Sequence, residues 1–224
     1  MYRATKAIVM AAGLGSRLMP LTAATPKPLI PVKGVPMIER LIEQLNQQGI
    51  EEIIVVTGHL HEQFNYLAGR VTLIYNPHYA TCNNISSLYL AREYLGECII
   101  IDGDIVVNNP TILNPNFDQS AYCSVHINEW VQQVDKHGQV VSTLRGSGYQ
   151  LYSISFWTRQ DGLQLQQHLE ELFLQNKDVF WDDIPHFIKP EAYQLGIRKI
   201  QATDITEIDT LEELRAYETT HGVR

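Results

Sequence analysis

Cysteine is scarce in this chain of 224 residues: Cys82, Cys98 and Cys123 stand far apart, with no C-x-x-C spacing. That argues against a zinc ribbon and a disulfide framework, and it fits a reducing, cytoplasmic setting. Long apolar runs are missing too; none approaches the ~20 residues of a membrane-spanning helix. The chain opens Met1-Tyr-Arg-Ala-Thr-Lys6 and runs straight into an apolar strand pattern, so no signal peptide is expected. Basic residues are in deficit: 17 Lys and Arg against 25 Asp and Glu leave a formal net charge of −8. A general nucleic-acid binder carries a basic face, so that class is disfavoured, whereas a small anionic ligand held by local cations is not. Two common phosphate loops are also absent. The dinucleotide pattern G-x-G-x-x-G fails at Leu18, and no G-K-[ST] follows the glycines. There is no internal repeat and no low-complexity segment.

What is present is an ordinary globular composition, 45% hydrophobic and 19% charged, enough for a sizeable core in one α/β domain spanning residues 1–224. The most informative stretch comes first. Ala7 to Ala12 reads as a strand buried on both faces. It ends in small residues and the glycines Gly13 and Gly15, which let backbone N–H groups approach an anion. Arg17 adds a fixed fork suited to phosphate oxygens. Lys27 follows in a proline-rich stretch, Thr25-Pro-Lys-Pro-Leu-Ile-Pro31, whose backbone is restricted.

The chain then alternates helix and strand. Met37, Ile38, Leu41, Ile42 and Leu45 have helical spacing, stopped by Gly49. Ile53–Thr57 and Val71–Tyr75 read as strands on either side of a short helix carrying Phe64 and Leu67. Asn84 or Ser86 could cap a helix with Leu88, Ala91 and Leu95 on its core face. Cys98–Asp104 reads as a strand ending in carboxylates. This order predicts a Rossmann-like, mostly parallel sheet flanked by helices, with right-handed crossovers. Later the pattern turns antiparallel: Ala121–His126, a hairpin around a Lys136-His-Gly138 turn, and Tyr149–Trp157. A long amphipathic helix with Leu163, Leu165, Leu169, Leu172 and Phe173 as its apolar residues follows. Leu195–Ile200 is a strand, and Thr210 with Glu213 forms a capping box for the last helix.

Open α/β sheets bind ligands beyond the carboxyl ends of their strands. Asp104 is therefore placed to hold Mg²⁺, which takes oxygen ligands and shares them with substrate phosphates; it reads equally as a turn or cap residue. Asn83 and Asn84 likewise read either as turn residues or as amides that recognise a base edge. The three tryptophans are Trp130, Trp157 and Trp181, and Trp181 is followed by Asp182 and Asp183. Single tryptophans are usually core, but an aromatic face beside a carboxylate suits a quaternary ammonium ion.

The stretch A-A-G-x-G-x-R-x-x-P-L-T followed by T-P-K-x-x-x-P, carried here by Ala11, Ala12, Gly13, Gly15, Arg17, Pro20, Leu21, Thr22, Thr25, Pro26, Lys27 and Pro31, resembles the signature of the nucleotidyltransferases that make NDP-sugars and CDP-alcohols. Further segments, including Tyr79–Leu90, Asn128–Trp130, Ser153–Trp157, Phe180–Asp182 and Glu207–Asp209, are similar to the bacterial phosphocholine cytidylyltransferases. The resemblance implies a nucleotide-binding half over about 1–110 and an acceptor-binding half over about 111–224. It implies that the loop of Ala11, Ala12, Gly13 and Gly15 wraps the nucleotide, that Arg17 holds the triphosphate and the leaving pyrophosphate, that Asn83, Asn84 and Ser87 meet the base, and that Lys27 stabilises the α-phosphate. It implies Asp104 and Asp209 as Mg²⁺ ligands, with Ile105 standing where the family has Asn. Trp130, Trp157, Trp181 and Asp182 become candidates for the choline head.

The implied reaction joins CTP and phosphocholine to give CDP-choline and pyrophosphate, in a cytoplasmic monomer or homodimer with no nucleic-acid or membrane partner. Rival readings are the same transfer to 2-aminoethylphosphonate or a sugar 1-phosphate, and a catalytically silent nucleotide-sensing domain. His59 and His61 form an H-x-H pair that is a minor metal candidate.

Overall fold

A computed structural model of the chain describes residues 1–134 and 140–220, and side chains within these except at 129–134 and 140–145. The expected Lys136-His-Gly138 turn lies outside the described residues. Seven strands form the main sheet: β1 (Lys6–Ala11), β2 (Glu52–Thr57), β3 (Thr72–Tyr75), β4 (Cys98–Asp102), β5 (Ala121–Val134), β6 (Val140–Trp157) and β7 (Gly196–Lys199), in the spatial order β7-β5-β6-β4-β1-β2-β3. β4, β1, β2 and β3 run parallel. β6 is antiparallel to β4 and β5, and β7 is parallel to β5. The mostly parallel sheet with an antiparallel portion is thus present.

β1 is apolar throughout because both of its faces are covered. Ala7, Val9 and Ala11 pack in one cluster with Ile38, Leu41, Ile42 and Leu45 of α1 (Met37–Gln47). Ile8 and Met10 pack in another with Leu88 of α2 (Ile85–Leu90) and Leu165 and Leu169 of α3 (Arg159–Gln175). Each aliphatic side chain buried this way contributes roughly 1.5–3 kcal/mol. α1 ends as expected at Gly49, whose φ of 75° lies in the left-handed region. α2 is shorter than its apolar spacing suggests. It stops at Leu90, a tighter turn over Arg92–Tyr94 follows, and Gly96 at φ 92° redirects the chain. Ala91 and Leu95 remain buried all the same.

The separate strands read from the sequence between Ala121 and Trp157 are two long ones. β5 and β6 pair from Ala121↔Phe156 to Val134↔Val140. Only Ile154–Trp157 of β6 also pair with β4, and only Ala121–Ser124 of β5 with β7.

A third cluster joins Leu18 and Ile30 near the glycine loop to Val106, Ile208, and Leu214 and Tyr217 of α4 (Leu211–Thr220). It is closed by the antiparallel pairing of Ile105–Val107 with Ile205–Glu207. This packing carries Glu207 and Asp209 to the carboxyl edge of the sheet, opposite the loop after β1.

Candidate active site

The loop after β1 owes its shape to Gly15. Its φ is 63°, and a Cβ there would lie 2.8 Å from Thr22 Cγ2 and 3.0 Å from Lys27 Cβ. Thr22 Oγ1 donates to Gly15 O at 2.9 Å. Gly58 allows an equally close approach on the other side, since a Cβ would stand 2.5 Å from Ala12 O. Within this loop Lys27 is buried and Arg17 mostly exposed.

Lys27 Nζ lies 2.6 Å from Asp104 Oδ2 and 2.7 Å from Asp209 Oδ1, while Arg17 Nη1 lies 2.9 Å from Asp209 Oδ2. Residues far apart in sequence thus converge on one point beyond the end of β4. Burial works to lower the Lys27 pKa, but the charge of Asp104 and hydrogen bonds to Asp104 and Asp209 outweigh it, and the pKa is raised. The ammonium stays charged at any working pH.

Four carboxylates line this part of the cleft: Asp102, Asp104, Glu207 and Asp209. Burial, then the neighbouring charge of Asp104, pushes Asp102 up to about 8. Burial also raises Glu207, which accepts from Ser153 Oγ at 3.3 Å. Asp104 and Asp209 turn one oxygen each onto the Lys27 ammonium; as hard oxygen donors at the mouth of the cleft they are the kind of ligand Mg²⁺ takes where phosphates and water complete its shell. Among the described residues no group of three or more His, Cys, Asp or Glu side chains is arranged to hold a metal by itself.

The cleft continues in two directions. Toward α2 it is lined by Ala12, Gly13, Asn83, Asn84 and Ser87, so these five predicted residues are brought together. Asn76, fully buried, organises this end by donating from Nδ2 to Ser86 Oγ and Ser87 Oγ, both at 2.9 Å. The sequence presents Asn76 only as the polar residue before Pro77. Asn84 precedes α2 as expected but makes no side-chain cap; its Oδ1 accepts instead from Trp181 N at 2.9 Å.

Toward β6 the cleft is lined by Trp181, Asp182, Asp102, Tyr122, Ser153 and Ser155, among others. Asp182 is raised by burial first and by Asp183. Asp182 Oδ1 and Tyr122 Oη are buried without a hydrogen-bond partner among the described residues. Trp157 does not line this cleft. It is fully buried, donates from Nε1 to Ser155 Oγ at 2.9 Å, and meets Tyr122 and Trp181 edge-on. It therefore stands behind the wall, not on it. A tryptophan ending a strand that is covered on both faces has the core as its nearest apolar space. Trp130 is placed on β5 opposite Arg145, and its side chain lies outside the described ones. Tyr122 and Asp102 were missed by sequence reasoning. Only the D-G-D spacing hinted at the second, and a strand tyrosine gives no signal.

His59 and His61 are engaged separately. His59 Nε2 donates to Thr22 O at 2.7 Å, while His61 pairs with Glu62 at 3.1 Å.

With this geometry established, comparison with known proteins is direct. A family model described as a MobA-like NTP transferase domain matches residues 7–173. A 2-aminoethylphosphonate cytidylyltransferase from Lancefieldella rimae is 38% identical, covering 97% of this chain and 93% of its own length. A choline-phosphate cytidylyltransferase from Haemophilus influenzae is 37% identical, with 92% and 93% covered. The solved CTP:phosphocholine cytidylyltransferase from Streptococcus pneumoniae superposes with a TM-score of 0.82 at 33% identity, over 96% of this chain and 98% of that one. The glycine loop, the cationic pair and the acids facing them thus belong to a nucleotidyltransferase, and this chain is a member of the MobA-like NTP transferase family.

Proposed function

We propose that the protein transfers CMP from CTP to phosphocholine, giving CDP-choline and pyrophosphate. The observation that carries this reading is the continuity of the groove. A base-sized cleft, a cationic loop facing paired acids, and a cleft with aromatic and acidic walls follow one another, joined through Gly13, Asn84, Asp102 and Ser153. That is the layout required to bring an acceptor phosphate up to an α-phosphate.

In this reading Ala11, Ala12, Gly13, Gly15 and Arg17 hold the triphosphate, and Asn83, Asn84 and Ser87 face the base. Lys27 stabilises charge on the α-phosphate. Asp104 and Asp209 would hold Mg²⁺, which when bound would supply charge neutralisation at that phosphate. The acceptor oxygen is already ionised at neutral pH, so it attacks phosphorus without a general base. The new bond joins that oxygen to the α-phosphorus, and the bond to the bridging oxygen breaks as pyrophosphate leaves. Trp181 and Asp182 meet the choline head, with Trp130 a further candidate from the ribbon and Trp157 supporting from behind. The setting is the cytoplasm, where the three free thiols stay reduced.

A second reading, transfer to 2-aminoethylphosphonate, is favoured by the two unpartnered oxygens, Asp182 Oδ1 and Tyr122 Oη. A primary ammonium has three N–H donors to satisfy them, and a trimethylammonium has none. The test is pyrophosphate release with Mg²⁺ for each NTP paired with phosphocholine, phosphoethanolamine, 2-aminoethylphosphonate and glucose 1-phosphate. Release with CTP and phosphocholine supports the first reading. Preference for the phosphonate moves the assignment to the second, and no release with any pair returns the chain to a sensing role.

A further inference from the structure

The acceptor side of the groove hangs on its base side. Asn83 N donates to Lys177 O at 2.8 Å, Asn83 Nδ2 to Asp178 O at 3.1 Å, and Trp181 N to Asn84 Oδ1 at 2.9 Å. These bonds tie the segment carrying Trp181 and Asp182 to the two asparagines at the base end. Among the described residues Asn84 is the one that lines both clefts. The bond from Trp181 N fixes which end of the amide is the oxygen. Asn84 Nδ2 makes no hydrogen bond to the described residues, so it is the donor left for a nucleotide.

We propose that Asn84 is a positioning residue for the acceptor site, coupling it to nucleotide occupancy. Its Oδ1 sets the corner at Trp181 and Asp182. A base-edge acceptor drawn onto Nδ2 immobilises the same amide and with it that corner. Coupling of this kind is reciprocal, so the acceptor tightens nucleotide binding by the same factor. The inference rests on the nucleotidyl-transfer reading, with the base at Asn83–Ser87 and the acceptor at Trp181.

Two variants separate the amide's two ends. Asn84→Ala removes both; Asn84→Asp keeps an oxygen for Trp181 N but loses the donor. Asn84→Ala is expected to raise the acceptor KM about three- to tenfold, the scale of one net hydrogen bond, with the CTP KM also raised. Asn84→Asp is expected to recover only part of the acceptor KM, because Trp181 N keeps its acceptor while the coupling through Nδ2 is lost, and to leave the CTP KM high. Amide hydrogen exchange over 180–183 in the nucleotide-free protein gives a readout independent of turnover. Exchange at Trp181 is expected to speed up in Asn84→Ala and to return to the wild-type rate in Asn84→Asp. An unchanged acceptor KM and unchanged Trp181 exchange in Asn84→Ala would overturn the proposal, as would an acceptor KM in Asn84→Asp raised as far as in Asn84→Ala. If the wild-type protein releases no pyrophosphate with any pair, the transfer reading fails on its own, and exchange still decides whether Asn84 holds the corner.

Discussion

Lys27 Nζ and Asp104 Oδ2 are 2.6 Å apart. One is contributed by the proline-rich loop after β1 and the other by the turn after β4, and adjacent parallel strands bring them together. The same ammonium also holds Asp209, so one cation sets the spacing of both proposed metal acids.

Lys27→Met keeps much of the side-chain volume and removes the charge. It is expected to lower turnover by about 10²–10³, the scale of one oriented charge-stabilising donor. Lys27→Arg is not expected to rescue it, because a planar fork does not replace a point charge between two carboxylates. Single-turnover rates at saturating CTP check this, and full turnover in Lys27→Met would remove the lysine from the chemistry.

The parts legible from sequence are those whose signal is local. β1, its glycines, Arg17 and Lys27 lie within one stretch, and the Thr210–Glu213 capping box is visible as spacing. What was not legible depends on where an element points after folding. Trp157 and Trp181 look alike in sequence, yet one lies wholly behind the wall and the other reaches the cleft. Asn84 looks like a helix cap, but a loop almost a hundred residues later claims its oxygen. Asn76 and Tyr122 became visible only once the sheet edge was assembled.

Asp182 makes a pH prediction with two opposite signs. Burial, reinforced by Asp183 and opposed by a backbone hydrogen bond and by His186, holds its pKa above the ordinary value. The folded protein therefore keeps a proton that the unfolded chain sheds near pH ~3.9. The resulting stability is complete below that pH and is lost as pH rises through the folded-state pKa. Asp182→Asn is expected to flatten this part of the stability profile, measured by denaturant unfolding across pH. Over the same window kcat/KM for a cationic acceptor is expected to rise in the wild type, since only the ionised carboxylate attracts it. A parallel rise in Asp182→Asn would show that another group governs acceptor binding.

His59 braces the glycine loop after β1. Its Nε2 donates to Thr22 O at 2.7 Å, Thr22 Oγ1 donates to Gly15 O, and Gln63 Nε2 donates to Ala24 O at 2.8 Å. His59→Ala is expected to raise the CTP KM about three- to tenfold, as for loss of one hydrogen bond, with little change in kcat. His59→Gln, whose amide can donate to the same carbonyl, is expected to recover part of the loss. Steady-state kinetics with CTP varied at fixed acceptor checks both, and a change confined to the acceptor KM would count against the brace.

Glu213 holds Asp209 in place from the far side. Its Oε2 accepts from Asp209 N and Thr210 N, both at 2.8 Å, and Thr210 Oγ1 accepts from Glu213 N at 3.2 Å. This box closes the first turn of α4 and fixes the backbone from which Asp209 reaches Lys27 and Arg17. Glu213→Ala removes it at a cost of about 1 kcal/mol, which lowers Tm by about 2–4 °C in a protein of this size. The loosened Asp209 is also expected to raise the Mg²⁺ concentration needed for half-maximal activity. Glu213→Gln keeps an oxygen for the two N–H groups, so it is expected to retain both the Tm and the Mg²⁺ dependence. Thermal unfolding and a Mg²⁺ titration of the three proteins separate the two roles. A Tm loss in Glu213→Ala without any shift in the Mg²⁺ requirement would confine Glu213 to the helix, and would leave Lys27 and Arg17 as the groups that hold Asp209.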